Sequence, residues 1–204
     1  MNSDGLPVPL TGIILAGGRS SRMGQNKALL PLGGRPLITH VLTTLTGLCQ
    51  EIIIVTNDPT PYAVLPARLV GDIYPGRGAL GGIHAGLSAS RTELTLVVAC
   101  DMPFLNPALL RYLVSLAPGY DAVVPRLGDQ FEPLHAVYTR RCLPPMERLL
   151  AQGPQRVITF YEQIHLRVVE EGELRRLDPE LRSFINVNTP EEWAYAQQLW
   201  ESLQ

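Results

Sequence analysis

The sequence predicts an α/β domain, doubly wound around a mostly parallel sheet, and three observations carry that prediction. Short apolar, β-branched runs alternate with helix-forming segments through the first half of the chain. Some of these runs are apolar at every position, as in Leu96-Val97-Val98-Ala99, which is the pattern of strands covered on both faces. Glycine-rich and charged stretches come directly after such runs, where a doubly wound sheet collects its ligands.

In order along the chain, residues 1–10 are expected as an N-terminal tail and Gly12-Ile13-Ile14-Leu15 as the first strand. A helix over 36–46 precedes strands over 52–56 and 68–70, followed by a helix over 82–90 and a strand over 94–99. Pro107 starts a helix over 107–116. Strands over 122–124 and 131–137 come next, then helices over 139–151 and 155–163. The last strands are expected over 165–169 and 184–187. Thr189-Pro190-Glu191-Glu192 reads as the start of a helix over 190–203, with a capping hydroxyl, proline in the first turn and acids at the positive helix end. Trp193 and Trp200, seven apart on that helix, read as core packing. The whole chain, 1–204, is expected as one domain, with the more polar stretch 153–180 as an edge decoration.

Hydrophobic residues make up 46% and charged residues 18% of the 204 positions, which is ordinary for a globular protein and enough chain for a large core. A formal net charge of −2 argues against a nucleic-acid partner. Cys49, Cys100 and Cys142 are far apart and form no metal or redox motif, which suits a reducing compartment. The N-terminus lacks a charged-then-apolar signal, and no run approaches about eighteen apolar residues. The expectation is a cytoplasmic protein with no membrane segment.

Chemistry concentrates in five places. The first is Leu15-Ala16-Gly17-Gly18-Arg19-Ser20-Ser21-Arg22-Met23-Gly24-Gln25-Asn26-Lys27. Its glycines let backbone N–H groups approach a ligand, and Arg22 and Lys27 can neutralise a phosphate chain from two sides. It is not a Walker A loop, because no Gly-Lys-Ser/Thr has the required spacing. The second is Cys100-Asp101-Met102-Pro103-Phe104, which puts a carboxylate at the end of the most hydrophobic strand. One Asp with phosphate oxygens and waters is a common way to hold Mg²⁺; capping of the next helix is the plainer role.

The third place, Gly71-Asp72 to Gly81-Gly82, has five glycines in twelve residues, and Asp72 can accept from a ribose or base. Gly76, Gly78 and Gly81 match the dinucleotide pattern G-x-G-x-x-G. The strand that should run into the first glycine is interrupted by Asp72-Ile73-Tyr74-Pro75, which disfavours a nicotinamide cofactor. The fourth is Asn186-Val187-Asn188, whose amides either meet a metal or polar substrate or satisfy a turn. The fifth is His135 in Pro133-Leu134-His135-Ala136-Val137-Tyr138, either a substrate contact or a core histidine. His40, His84 and His165 show no partners in the sequence and read as structural.

The first loop, the Asp101 segment and Asn186-Val187-Asn188-Thr189-Pro190 together resemble the molybdenum cofactor nucleotidyltransferases. These belong to the sugar-phosphate nucleotidyltransferase superfamily, which has a Rossmann-like, glycosyltransferase-A-type fold. Leu-Ala-Gly-Gly-x3-Arg-Met-Gly-x2-Lys is similar to that superfamily's phosphate loop, and Asp101-Met102-Pro103-Phe104 to its metal motif. Residues 133–138 and 186–190 resemble the molybdopterin branch, and the likeness runs from residue 11 to 193. Gly17 and Leu80-Gly81-Gly82 look like the guanylyl rather than the cytidylyl enzymes. Ala79 stands where that pattern carries proline.

The resemblance implies a mostly parallel sheet with a small C-terminal extension. It implies that Leu15, Ala16, Gly17, Gly18, Lys27, Asn57, Asp72, Gly81 and Asp101 bind GTP, and that Asp101 also holds Mg²⁺. Arg22, Lys27 and Asp101 would be catalytic, and His135, Asn186 and Asn188 would face the pterin. The implied reaction transfers GMP from GTP to molybdenum-molybdopterin and releases pyrophosphate. Transient contacts with molybdopterin-insertion proteins or molybdoenzymes would follow. The alternatives are a CTP-dependent molybdopterin enzyme, a sugar-phosphate nucleotidyltransferase and a non-catalytic GTP-binding carrier.

Overall fold

The computed structural model describes residues 8–17 and 26–204. Strands β1 (Leu10–Leu15), β4 (Glu51–Val55), β5 (Arg68–Val70) and β6 (Leu94–Ala99) form the parallel heart of the sheet, β1 pairing with both β4 and β6. All six residues of β1 are buried. Beyond β6 lie β7 (Ala122–Leu127), β9 (His135–Thr139) and β10 (Leu166–Glu170). The order is β10-β7-β9-β6-β1-β4-β5, with the short β8 (Gln130–Phe131) alongside β7. Only β9 and β8 run antiparallel to their neighbours, so the sheet is mixed but mostly parallel.

Helices cover both faces. On one, α1 (Leu37–Thr46) and α3 (Pro107–Ser115) bury Ile38, Val41, Leu45, Leu109 and Leu113 with Ile14, Ile54 and Val98. On the other, α2 (Gly78–Ala89) and α4 (Leu143–Ala151) bury Leu80, Ile83, Leu87, Met146 and Leu150 with Ile13, Ile53 and Val97. Adjacent residues of one strand thus feed opposite cores, which is why the runs are apolar throughout. The close approach of α2 to β1 needs glycine: a Cβ on Gly86 would stand 2.6 Å from Ile13. No helix of the described residues is long and apolar enough to cross a membrane.

Four expectations need correction. Residues 131–137 are not one strand: Pro133 lies between β8 and β9, where it can donate nothing to a ladder. Residues 184–187 join no sheet; Arg182–Phe184 is a 3-10 turn entered through Leu181 at φ 53°, and the chain then runs on extended. Residues 157–163 are 3-10 rather than α-helical. Helix α2 starts at Gly78, four residues before the expected position, because its glycines are helical rather than loop.

A two-stranded hairpin, β2 (Pro31–Leu32) and β3 (Arg35–Pro36), turns through Gly33 and Gly34, both at positive φ. The last helices are α5 (Glu171–Leu174) and α6 (Pro190–Ser202), and α6 packs on the hairpin. Leu30, Leu32, Leu37, Val187 and Ala196 make a third, small core, flanked by Trp193 and Trp200. Trp193 donates through Nε1 to the Pro31 carbonyl at 3.1 Å, and Trp200 meets the His40 ring edge-on and lies directly on Gly33. This core joins the segment after Lys27 to the segment around Asn188.

Candidate active site

Four parallel strands end side by side, and their next residues are Ala16-Gly17, Thr56-Asn57, Gly71-Asp72 and Cys100-Asp101. The Ala16 N–H donates to Val55 O at 3.0 Å, and the Cys100 N–H to Leu15 O at 3.2 Å, which keeps these ends in line. Asn57 and Asp72 bond reciprocally: Asn57 Nδ2 donates to Asp72 Oδ2 at 2.9 Å, and the Asp72 N–H donates to Asn57 Oδ1 at 2.9 Å. Gly82 completes the wall. A Cβ there would lie 3.3 Å from Leu15 and 3.9 Å from Asp72 Oδ1, so these three residues border one space. Gly81 points elsewhere, toward Tyr74 O and Arg77, where its missing side chain lets the 74–77 turn fold back on α2.

Lys27 and Asp101, 74 residues apart, meet at the other end of this edge. Lys27 Nζ is 2.6 Å from Asn188 Oδ1 and 3.4 Å from Asp101 Oδ2. Lys27 opens a 3-10 turn, Lys27–Leu29, capped by Asn26, whose Oδ1 accepts from the Ala28 N–H at 3.1 Å. Asn26 Nδ2 in turn donates to the buried Tyr62 hydroxyl at 2.8 Å. Asn26 and Tyr62 were missed by sequence reasoning, although an Asn before a short helical turn is a capping signal. Asn188 is held by the α6 capping box, its N–H donating to Glu192 Oε2 at 2.6 Å. The Val187 N–H donates to Asp101 O at 3.0 Å, tying the two segments together.

Burial pushes the Asp101 carboxyl above the usual carboxylate range, against the opposing pull of Lys27; the nearby Glu192 adds to the rise. Burial outweighing a single ammonium leaves this carboxylate wanting more positive charge. Among the described residues no group of three or more His, Cys, Asp or Glu could hold a metal. One carboxylate and one amide oxygen converging on a cation is instead a hard-oxygen donor pair, which suits an ion that keeps several waters, as Mg²⁺ does.

The other expected site residues separate. Gly18 and Arg22 lie outside the described residues. Asn186 Nδ2 donates to Phe184 O at 3.3 Å, so its amide serves its own turn while Asn188 faces Lys27. His135 is 0% exposed, and neither ring nitrogen has a partner among the described residues. Its ring stacks on Phe184 at 4.5 Å, and burial pushes it down to about 4, opposed by Asp178. It is not brought to the Lys27 cluster. His84 does have partners: Glu147 Oε1 at 3.3 Å and the edge of Tyr74.

A mostly parallel sheet with a carboxylate, an ammonium and a glycine-lined wall at its carboxyl edge is the architecture of a nucleotidyltransferase class of protein. Residues 12–166 match the MobA-like NTP transferase domain, and the chain belongs to that family. It is similar to the molybdenum cofactor guanylyltransferase of Desulfosudis oleivorans, with 43% identity over 190 residues covering 92% of this chain and 94% of that one. Its structure is similar to molybdopterin-guanine dinucleotide biosynthesis protein A from Archaeoglobus fulgidus, with TM-score 0.83 and 30% identity over 94% of this chain and 99% of that one. A nucleotidyl transferase from Methanothermobacter thermautotroptrophicus, 19% identical with TM-score 0.74 over 96% of this chain and 99% of that one, shares the fold.

Proposed function

We propose that this enzyme transfers GMP from GTP to the terminal phosphate of molybdenum-molybdopterin and releases pyrophosphate. The observation that carries the proposal is the convergence of Lys27, Asp101 and Asn188 beside the Leu15–Asp72 wall. The names of the relatives that span nearly the whole chain support the choice of substrates. Leu15, Ala16, Gly17, Asn57 and Asp72 would line the nucleoside, with Gly81 shaping the loop behind it.

The attacking phosphate is already an anion at neutral pH, so the step needs no strong general base. The barrier lies in aligning two anions, so catalysis is positioning and charge neutralisation. Asp101 and Asn188 would hold Mg²⁺. Held there, that ion would supply positive charge to the phosphates. Lys27, with Arg22 from the glycine loop, would offset charge on the departing β,γ-phosphates. Asn186 and Asn188 lie on the stretch we assign to the pterin, and we give His135 a supporting part beneath it. The three free cysteines fit a reducing cytoplasm, and burial pushes the Cys100 thiol beside Asp101 up to about 12, where it is chemically quiet.

The test is metal-dependent pyrophosphate release with molybdenum-loaded molybdopterin and either GTP or CTP. Release with GTP alone is expected. Release with CTP alone would keep the chemistry and overturn the base assignment. No release with either would overturn the proposal.

A further inference from the structure

We propose that Lys27 is a displaceable stand-in for the metal, occupying the Asp101 and Asn188 oxygens until a metal–nucleotide complex arrives. Its ammonium then swings to the triphosphate. The inference rests on the reading of Asp101 as the metal's carboxylate.

The sequence supplies the first reason. Lys27 is the one lysine among the chain's seventeen cationic Lys and Arg residues. Among the described residues, every other pairing of such a cation with a carboxylate uses arginine, as in Arg68–Glu51, Arg126–Glu170 and Arg167–Glu173. Arginine grips a carboxylate with a rigid fork of donors, whereas lysine is a compact point charge on a flexible four-carbon stem. Lysine stands where the charge has to move from a carboxylate to a triphosphate.

The geometry supplies the second. Nζ lies close to the neutral amide, at 2.6 Å, and farther from the carboxylate, at 3.4 Å. That is the position of a cation shared between two oxygen donors rather than of a closed ion pair. The backbones that carry these oxygens are held without the ammonium. Asn188 is held by Glu192 and Asp101 by the Val187 N–H, while the Lys27 backbone is held by Asn26 and Tyr62. The side chain can therefore leave while both backbones and its own anchor stay.

The consequence is an order of events. A divalent ion arriving alone must compete with a positive charge already on its ligands, and it offers that charge no new partner. An ion arriving on a triphosphate brings the anion to which Lys27 moves. The free protein should thus bind the metal poorly and the metal–nucleotide complex well.

Mn²⁺ binding to the nucleotide-free protein, followed by electron paramagnetic resonance, tests this. Lys27→Met should bind Mn²⁺ on the order of tenfold more tightly than the wild type. Adding Asp101→Asn should abolish that gain. A second measurement uses the wild type and needs no variant to fold. Acylation of the single lysine, read by peptide mass, should speed up with Mn²⁺ alone and slow again when GTP is added. Equal or weaker Mn²⁺ binding by Lys27→Met, a gain that survives Asp101→Asn, or labelling indifferent to Mn²⁺ would each overturn the inference. If wild-type pyrophosphate release with GTP is intact, such a failure removes the stand-in role alone. If Asp101→Asn in the wild type leaves Mn²⁺ binding unchanged, the metal reading fails with it.

Discussion

The two ends of the site are built differently. The wall we assign to the nucleoside, with Leu15, Asn57 and Asp72, sits on the ends of adjacent parallel strands, and its key pair spans only fifteen residues. The cation cluster joins Lys27 to Asn188 across 161 residues and relies on the small core of hairpin and α6. The wall inherits its geometry from the sheet. The cluster depends on packing that the sheet does not supply, and this difference divides the expected effects of substitution. Damage to the wall should appear in the KM for GTP, and damage to the cluster in kcat.

Asp101→Asn is the harshest test of that division. It keeps the shape and removes the charge around which Lys27 and Asn188 gather, so kcat should fall by about 10³-fold while thermal stability holds. A drop confined to KM would merge the two ends into one binding surface.

His135 probes the support beneath the cluster, since it packs on Phe184 just before the Asn186–Asn188 stretch. Its folded pKa, near 4, lies below its unfolded value, near 6.5. Between those values the unfolded chain takes up a proton that the folded chain refuses. Stability is therefore lost as pH falls from about 6.5 toward 4, by up to about 3 kcal/mol from this group. His135→Leu should flatten that part of the stability–pH curve, as followed by urea unfolding. An unchanged curve would mean that the ring is charged or solvated in the folded protein.

The same contrast explains what could be read from the sequence. Leu96–Ala99 followed by Asp101 was legible because a fully apolar run and a carboxylate close to its end are local signals. Asp72 stood out for the same reason, following a strand, whereas Asn57 was named only through the family resemblance. The hairpin was not, because strands of two residues carry no periodicity, although Gly33-Gly34 was a usable turn signal. Residues 184–187 alternate like a strand, yet among the described residues the Val187 N–H reaches Asp101 O and no strand runs alongside. The Lys27–Asn188 contact had no local signature at all, since it exists only once α6 has packed on the hairpin.

Gly33→Ala tests that packing directly. The added methyl would face a positive φ and collide with the Trp200 indole. A loss of about 2 kcal/mol in stability is expected. With it should come a several-fold fall in kcat at unchanged KM for GTP, because Lys27 and Asn188 lie just before the two elements being pushed apart. A change in KM alone would show that the hairpin serves the wall.

The smallest effect is expected at the wall. Asn57→Ala removes both bonds to Asp72, one to its carboxylate and one from its N–H, but leaves Leu15 and Gly82 in place. The wall is exposed enough for water to replace the lost partners, so the cost is that of a modest hydrogen bond, about 1 kcal/mol. That corresponds to roughly a fivefold rise in the KM for GTP with kcat nearly unchanged. Asp72→Asn should give a rise of similar size if Asp72 works through its contact with Asn57. A much larger rise for Asp72→Asn than for Asn57→Ala would show that the free Asp72 oxygen beside Gly82 meets the nucleoside itself, and that Asn57 only aims it.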